Sequence, residues 1–264
     1  MPVVDSAGVP IYYEITGAGP PIVLVHGYLS SLEGNWGQSG WIEFLVGDGR
    51  SVVGSDCRGH GRSGKPHDPA AYEDPRMPSD VLAVMDAAGL ERVDLMGYSM
   101  GGAIAVALLA RFPERFNSVI VGGAGLPVAA RDPRRSAAIA AALEAEDVST
   151  ISDPVAFFFR QFSESRAHDP HSFADVDPDL RALAAISQRS SGVRSDVAAA
   201  LPQVQVPLLV VVGDKDETLP DSQRLSETVP NAQLVILPGE DHVSAIPAVA
   251  YKHAVAAFLR ERRP

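Results

Sequence analysis

The sequence predicts an α/β fold: a mostly parallel open sheet flanked by helices, with a helical cap inserted at one point. Short apolar runs rich in β-branched residues alternate with longer amphipathic or Ala-rich runs, which is the rhythm of strands alternating with helices. Several of the strand runs are apolar without alternation, as expected of parallel strands that are covered on both faces. Strand signals are missing between residues 126 and 196.

Seven runs are predicted to be strands. Residues 11–16 are expected to form an early antiparallel strand, and the other runs are 22–25, 51–54, 93–96, 118–121, 208–212 and 234–237. The predicted helices are 77–89, 100–112, 221–229 and 243–260. Because the segment 100–112 is apolar around its whole circumference, we expect this helix to be buried in the core.

The segment without strand signals is predicted to be helical. Asp-Pro pairs begin at Asp132, Asp153 and Asp177, and each of these fits an N-cap aspartate followed by proline at the first helical position. A helical insertion at one point of an open sheet is most simply a cap, or lid. We therefore expect a core formed by residues 1–125 and 197–264, and a cap formed by residues 126–196.

Composition and charge exclude several classes of protein. The 264 residues include 22 Lys and Arg and 33 Asp and Glu, a net charge of −11, so nucleic acids and anionic lipid surfaces would on balance be repelled. The single cysteine, Cys57, rules out an internal disulfide framework, and residues 1–5 do not resemble the start of a signal peptide. The longest apolar run is too short to cross a membrane. These features predict a cytoplasmic protein, and they leave its oligomeric state undecided.

The first group of residues that could carry chemistry is Gly97-Tyr98-Ser99-Met100-Gly101. It fits the pattern G-x-S-x-G, directly after a predicted strand and directly before the buried helix. The glycines leave room for a sharp backbone bend that holds the serine side chain exposed. The free N–H groups of the helix N-terminus favour developing negative charge near Ser99. We therefore interpret Ser99 as a nucleophile.

A serine nucleophile needs a base, and the base needs a carboxylate that holds it in one tautomer. His242 follows the last predicted strand, and both Asp214 and Asp216 follow the strand before it. Because open α/β sheets build their sites at the carboxyl ends of strands, these side chains are expected to converge near Ser99. The chain order Ser, Asp, His agrees with this arrangement, but it leaves the choice between the two aspartates open.

The loop His26-Gly27-Tyr28 also follows a predicted strand. Its glycine would let a backbone N–H group point into the site. We expect the N–H groups of Tyr28 and Met100 to form an oxyanion hole, since two preorganised donors stabilise the oxyanion of a tetrahedral intermediate.

Taken together, these motifs resemble the α/β-hydrolase fold superfamily over essentially the full length of the chain. Residues 56–63 resemble the family segment D-x-R-G-H-G-x-S, and residues 239–242 resemble its G-x-x-H turn. Residues 213–216 resemble its G-x-x-D turn, which implies that Asp216 rather than Asp214 is the acid of the triad. In the segment His26-Gly27-Tyr28 an aromatic residue follows His-Gly, and Trp36 comes a short loop later. This arrangement is similar to that of esterases, lactonases and cofactor-free perhydrolases.

The resemblance implies a serine hydrolase that cleaves a small-molecule carboxylic ester or lactone through an acyl-enzyme. The alternatives are carbon–carbon bond hydrolysis or perhydrolysis on the same triad, and a non-catalytic small-molecule receptor that keeps the scaffold. Neither a metal nor an organic cofactor is expected. Candidate substrate contacts are Tyr28, Trp36, Phe158, Phe159 and Phe162.

Overall fold

The protein is described here by a computed structural model covering residues 2–127, 132–145, 178–188 and 195–262. Within these ranges one eight-stranded sheet forms the centre of the molecule. Its strands are β1 (Val3–Ser6), β2 (Val9–Gly17), β3 (Pro21–Val25), β4 (Ser51–Ser55), β5 (Val93–Tyr98), β6 (Phe116–Gly122), β7 (Leu208–Gly213) and β8 (Ala232–Leu237).

The strand order across the sheet is β1-β2-β4-β3-β5-β6-β7-β8. The first two strands pair antiparallel with each other, β2 pairs antiparallel with β4, and every further pair is parallel. The predicted fold class is confirmed, as is the early antiparallel strand. The short edge strand β1 was not predicted from the sequence.

Helices cover both faces of the sheet. They are α1 (Trp41–Gly47), α2 (Arg76–Ala87), α3 (Met100–Arg111), α4 (Pro133–Glu144), α5 (Leu180–Gln188), α6 (Ser195–Ala200), α7 (Leu219–Thr228) and α8 (Val249–Arg260). One buried cluster contains residues of α2 and α3, and a second contains residues of α1 and α8. In β3, Ile22 and Leu24 join the second cluster while Val23 and Val25 join the first. Burial on both faces explains why the strand runs are apolar without alternation.

The described part of the chain between β6 and β7 is helical where it forms regular structure. Helix α4 begins as its Asp-Pro pair predicts, because the Asp132 carboxylate accepts a 2.9 Å hydrogen bond from the Arg134 N–H group. Buried residues of α4 and α5, among them Leu143 and Leu183, belong to the same cluster as α3. The Asp-Pro pairs at Asp153 and Asp177 begin outside the described residues. We call the chain between β6 and β7 the insertion.

The helix predicted for residues 243–260 begins six residues later than expected, at Val249. Pro247 would lie inside the longer helix, where it lacks an N–H group for the helical hydrogen bond and its ring collides with the preceding turn. The Asp241 carboxylate instead accepts bonds from the N–H groups of Val243 and Ser244, which closes a turn there. None of the helices in the described ranges combines the length and apolarity that a membrane span requires.

Candidate active site

Ser99 lies at the tip of the sharp turn that joins β5 to α3. Its backbone φ is 54° and ψ is −112°, a conformation that residues other than glycine rarely adopt. This turn brings the backbone before Ser99 very close to the backbone after it. A Cβ atom added to Gly97 would lie 2.8 Å from the Gly102 nitrogen, so a side chain at that position is excluded by backbone atoms. This strained turn holds the half-buried serine at the carboxyl end of the sheet.

The structure brings Ser99, His242 and Asp216 together in one chain of hydrogen bonds. The His242 Nε2 atom lies 2.9 Å from the Ser99 Oγ atom. The Nδ1 atom of the same ring lies 2.8 Å from the Asp216 Oδ2 atom. The three residues are separated by as many as 143 positions in the sequence, and they meet because β5, β7 and β8 end at the same edge of the sheet.

The two carboxylate oxygens of Asp216 have different partners. The Oδ1 atom accepts hydrogen bonds of 2.8 Å from both the N–H group and the hydroxyl of Thr218, which leaves Oδ2 for His242. The side chain is fully buried, and burial alone would raise its pKa. The hydrogen bond and charge of His242, together with the Thr218 bonds, outweigh burial and lower the pKa of Asp216 below its ordinary value. The carboxyl is therefore ionised at neutral pH and fixes the histidine ring.

The loop that carries His242 is held in place by Tyr98, the residue before Ser99. The Tyr98 hydroxyl donates a 2.7 Å hydrogen bond to the backbone carbonyl of His242. The two rings also lie 5.5 Å apart in a tilted arrangement. Burial raises the pKa of the Tyr98 phenol well above its ordinary value, so the hydroxyl keeps its proton and remains a donor. Tyr98 thus fixes the position of the His242 backbone relative to Ser99.

The loop after β3 lies directly against Ser99. A Cβ atom added to Gly27 would lie 3.4 Å from the Ser99 Cβ atom. The Gly27 N–H group donates a 2.9 Å bond to the Asn35 Oδ1 atom, which fixes one side of the loop. Met100 is the first residue of α3, so its N–H group has no carbonyl partner within the helix.

The His26 ring fixes the peptide group that joins Gly27 to Tyr28. Its Nε2 atom accepts a 2.9 Å bond from the Cys57 N–H group, so the ring proton must be on Nδ1, which donates a 2.8 Å bond to the Gly27 carbonyl. Complete burial lowers the pKa of His26, which favours this neutral form. Because a peptide group is planar, holding the Gly27 carbonyl also sets the direction of the Tyr28 N–H group.

The two aspartates that the sequence offers have different surroundings. Asp214 is exposed, and its carboxylate accepts a 2.8 Å hydrogen bond from the Gly239 N–H group, so it links the loops that follow β7 and β8. Asp216 is the aspartate that contacts His242.

The predicted substrate contacts have different outcomes. Trp36 is wrong as a substrate contact, because its side chain is 0% exposed and packs edge-on against Trp41 in the core. Trp36 belongs to the short helical turn Glu33–Gly37 and lies on the buried side of that turn. Tyr28 is half-buried beside the site, and its hydroxyl contacts α5. Phe158, Phe159 and Phe162 lie outside the described residues.

Sequence reasoning missed Thr218, Tyr98 and Asn35 as residues that position the site. Thr218 could have been found, because a hydroxyl residue two positions after an aspartate is a common way to bond the carboxylate locally. Nothing local in the sequence marks Tyr98 or Asn35, because their partners are distant in the chain. In the described ranges, no group of three or more His, Cys, Asp or Glu side chains is arranged to hold a metal ion.

Comparison with known proteins agrees with this architecture. Residues 20–248 match the family model described as the alpha/beta hydrolase fold, and the chain belongs to that family. The crystal structure of an enol-lactonase from Burkholderia xenovorans LB400 superposes with a TM-score of 0.81 at 26% identity, covering 98% of this chain and 100% of that one.

Two curated relatives are similarly distant. A 2-hydroxymuconate semialdehyde hydrolase from Pseudomonas putida is 30% identical over 259 residues, which are 93% of this chain and 89% of the relative. A dihydrolipoyllysine-residue acetyltransferase component of an acetoin cleaving system, also from Pseudomonas putida, is 30% identical over 257 residues. That match covers 95% of this chain but 66% of the relative, so the chain spans slightly less than two thirds of it.

Proposed function

We propose that the protein is a serine hydrolase that cleaves a carboxylic ester or a lactone through a Ser99-His242-Asp216 triad. One observation carries the proposal: the unbroken chain of hydrogen bonds from the Ser99 hydroxyl through the His242 ring to the buried Asp216 carboxylate. A serine hydroxyl bonded to an imidazole that is itself oriented by a carboxylate is the arrangement that activates serine for acyl transfer.

The geometry supports the following reaction. Ser99 Oγ attacks the substrate carbonyl while His242 Nε2 takes its proton, and Asp216 stabilises the resulting imidazolium. The N–H groups of Tyr28 and Met100 bind the oxyanion of the tetrahedral intermediate. His242 then gives its proton to the leaving oxygen, and an acyl-enzyme remains on Ser99. Water activated by His242 attacks this ester and releases the acid.

The substrate is a small molecule that enters beneath the insertion. Helix α5 of the insertion contacts Tyr28 beside the nucleophile, which supports a role for residues 126–196 as a cap over the site. The similarity to an enol-lactonase along the whole chain favours a lactone or an activated ester. The mechanism requires neither a metal nor an organic cofactor, since each step uses the side chains and backbone groups already named.

The direct test replaces Ser99 with alanine. We expect Ser99→Ala to lower kcat for a p-nitrophenyl ester by on the order of 10⁶-fold while the variant stays folded. The matched control is Ser226→Ala, which removes a hydroxyl from the exposed face of α7 and should hydrolyse the ester at the parent rate. A Ser99→Ala variant that keeps the parent rate would refute the proposal.

A second candidate function is hydrolysis of a carbon–carbon bond on the same residues. The similarity to a 2-hydroxymuconate semialdehyde hydrolase favours it, because that enzyme is named for a substrate that is neither an ester nor a lactone. Perhydrolysis of the acyl-enzyme by hydrogen peroxide is a further variant of the same chemistry. A panel of esters, lactones and diketones, with and without peroxide, separates these reactions by their kcat/KM values.

A non-catalytic receptor on this scaffold is the contrasting class. A fluorophosphonate reacts with a serine that is activated as a nucleophile, so rapid labelling of Ser99 supports an enzyme. A folded sample that does not label, but binds small molecules, supports the receptor.

A further inference from the structure

The backbone of Tyr28 lies in the loop after β3, and its phenol contacts helix α5 of the insertion. This placement points to a role for the side chain as well as for the backbone N–H group. We propose that the Tyr28 phenol is a positioning device: it holds the oxyanion-hole peptide against helix α5 of the insertion, so that the insertion sets the position of the Tyr28 N–H donor. The inference rests on the proposed function, because it concerns the oxyanion hole of that reaction.

The phenol is bonded to α5 in two directions. Its hydroxyl donates a 2.8 Å hydrogen bond to the Leu183 carbonyl, and its oxygen lies 2.9 Å from the Ser187 hydroxyl. A phenol has one hydrogen, and the carbonyl can only accept. Ser187 must therefore be the donor of the second bond. The two partners are one helical turn apart, so they fix the oxygen with respect to the helix rather than to one flexible side chain.

Helix α5 is itself fixed to the core. Leu183 and Ile186 are buried, and both belong to the cluster that contains α3. Just before the helix, the Asp179 carboxylate accepts a 3.0 Å bond from the Ala182 N–H group, and it pairs with the His67 Nε2 atom at 2.9 Å. A phenol bonded to this helix is therefore attached to an anchored element.

The peptide that carries the Tyr28 N–H group is restrained by His26, which bonds its Gly27 carbonyl, and Asn35 holds the N–H group of the preceding peptide. On the following side, Leu29 has a φ of 65°, a left-handed conformation that is unfavourable for a leucine. Such a conformation persists only where surrounding contacts determine it. Tyr28 directly precedes Leu29, and the hydrogen bonds of its phenol are among the contacts that hold this part of the loop.

The role predicts a specific kinetic signature. An oxyanion donor interacts more strongly with the tetrahedral intermediate than with the ground-state carbonyl, so a displaced donor lowers kcat and leaves KM unchanged. A phenol that instead binds substrate would raise KM when its hydroxyl is removed. A phenol that serves only stability would lower Tm and leave kcat unchanged.

The experiment compares Tyr28→Phe with Tyr12→Phe, a control that removes a hydroxyl bonded to Glu14 and Arg62 instead of α5. For each variant we measure kcat, KM and Tm with a p-nitrophenyl ester, and the Ki of a trifluoromethyl ketone. The ketone forms a hemiketal oxyanion on Ser99 and therefore reports the oxyanion hole directly. We expect Tyr28→Phe to lower kcat about tenfold, below the roughly 10²–10³-fold cost of losing a whole donor, and to raise Ki by the same factor. We expect Tyr12→Phe to match the parent.

Ser187→Ala provides a second variant at a half-buried position, in case Tyr28→Phe folds poorly. It should lower kcat about two- to threefold alone and have no further effect when added to Tyr28→Phe, because both changes remove the same connection. A folded Tyr28→Phe with parent kcat and Ki, or with a raised KM alone, overturns the inference. If Ser99 of the parent does not react with a fluorophosphonate, the proposed function falls as well; if it does react, only the role of the phenol is lost.

Discussion

Replacing Gly101 with alanine tests the packing that holds Ser99 in position. Gly101 is the second residue of α3, and it lies against the end of β3. An added Cβ atom would be 2.6 Å from the Val25 carbonyl carbon and 2.8 Å from the His26 carbonyl oxygen, and closer still to the Val25 carbonyl oxygen. These are backbone atoms of a central strand, so rotation of a side chain cannot relieve the overlap.

The magnitude follows from the distances. Ordinary contact begins at 3.4 Å, so relief of the carbonyl-carbon overlap alone moves the helix by 3.4 − 2.6 = 0.8 Å relative to the strand, and the closer carbonyl oxygen requires a larger shift. Overpacking of this kind costs about 3 kcal/mol at the upper end of its usual range, and the better helix propensity of alanine returns about 1 kcal/mol. A net loss of about 2 kcal/mol corresponds to a decrease in Tm of roughly 4–8 °C for a chain of this size. Because the shift also moves Ser99 and the Met100 N–H group, kcat should fall by up to about 10²-fold.

The assay is thermal unfolding followed by circular dichroism, with ester hydrolysis measured on the same samples. Gly47→Ala is the matched control, because Gly47 is the last residue of α1 and an added Cβ atom there meets nothing within 4 Å. That variant should keep the parent activity and gain up to about 1 kcal/mol of stability. A Gly101→Ala variant whose Tm equals or exceeds that of the parent would show that α3 and β3 do not approach each other as closely as the structure indicates.

Three further predictions concern the residues around His242. Tyr98→Phe removes the hydroxyl that donates to the His242 carbonyl, so the rate constant for fluorophosphonate labelling of Ser99 should fall about tenfold, and an unchanged rate would contradict this positioning role. Asp216→Asn should lower kcat on the order of 10⁴-fold, because the amide no longer holds the histidine in the required tautomer; a loss below tenfold would argue for another acid. The folded-state pKa of Asp216 lies below its unfolded value, so the ionised carboxyl stabilises the fold above the unfolded pKa, and this contribution is lost as the pH falls through the folded pKa. The difference in urea midpoint between the parent and Asp216→Asn should therefore become smaller between pH 5 and pH 3, and a constant difference would contradict the lowered pKa.

The fold and the outline of the site could be predicted from the sequence because their signals are local. A strand buried on both faces is apolar at each position, so runs such as residues 22–25 indicate their own environment. The elbow around Ser99 combines glycines, a preceding strand and a following helix within a few positions. Parallel strands end at one edge of the sheet, so His242 and an aspartate after the neighbouring strand were expected to lie near this serine.

The remaining features depend on side-chain directions and on partners far away in the chain. Spacing alone allowed Asp214 and Asp216, and the resemblance to a family pointed to Asp216; the structure turns Asp214 toward Gly239 and Asp216 toward His242. Trp36 looked like a substrate contact by its position after the His-Gly turn, and tertiary packing places it in the core.

The sequence by itself determined the fold class, most of the strands and helices, the strained turn at Ser99 and the residue types of the proposed triad, because each is encoded by neighbours a few positions away. Only the tertiary structure decided which aspartate meets the histidine, that Tyr98 holds the histidine loop, and that the phenol of Tyr28 contacts a helix 155 residues away. The physical reason is that hydrogen bonds between distant segments form only after the sheet and its helices have packed, and no short stretch of sequence specifies the direction from which such a partner arrives.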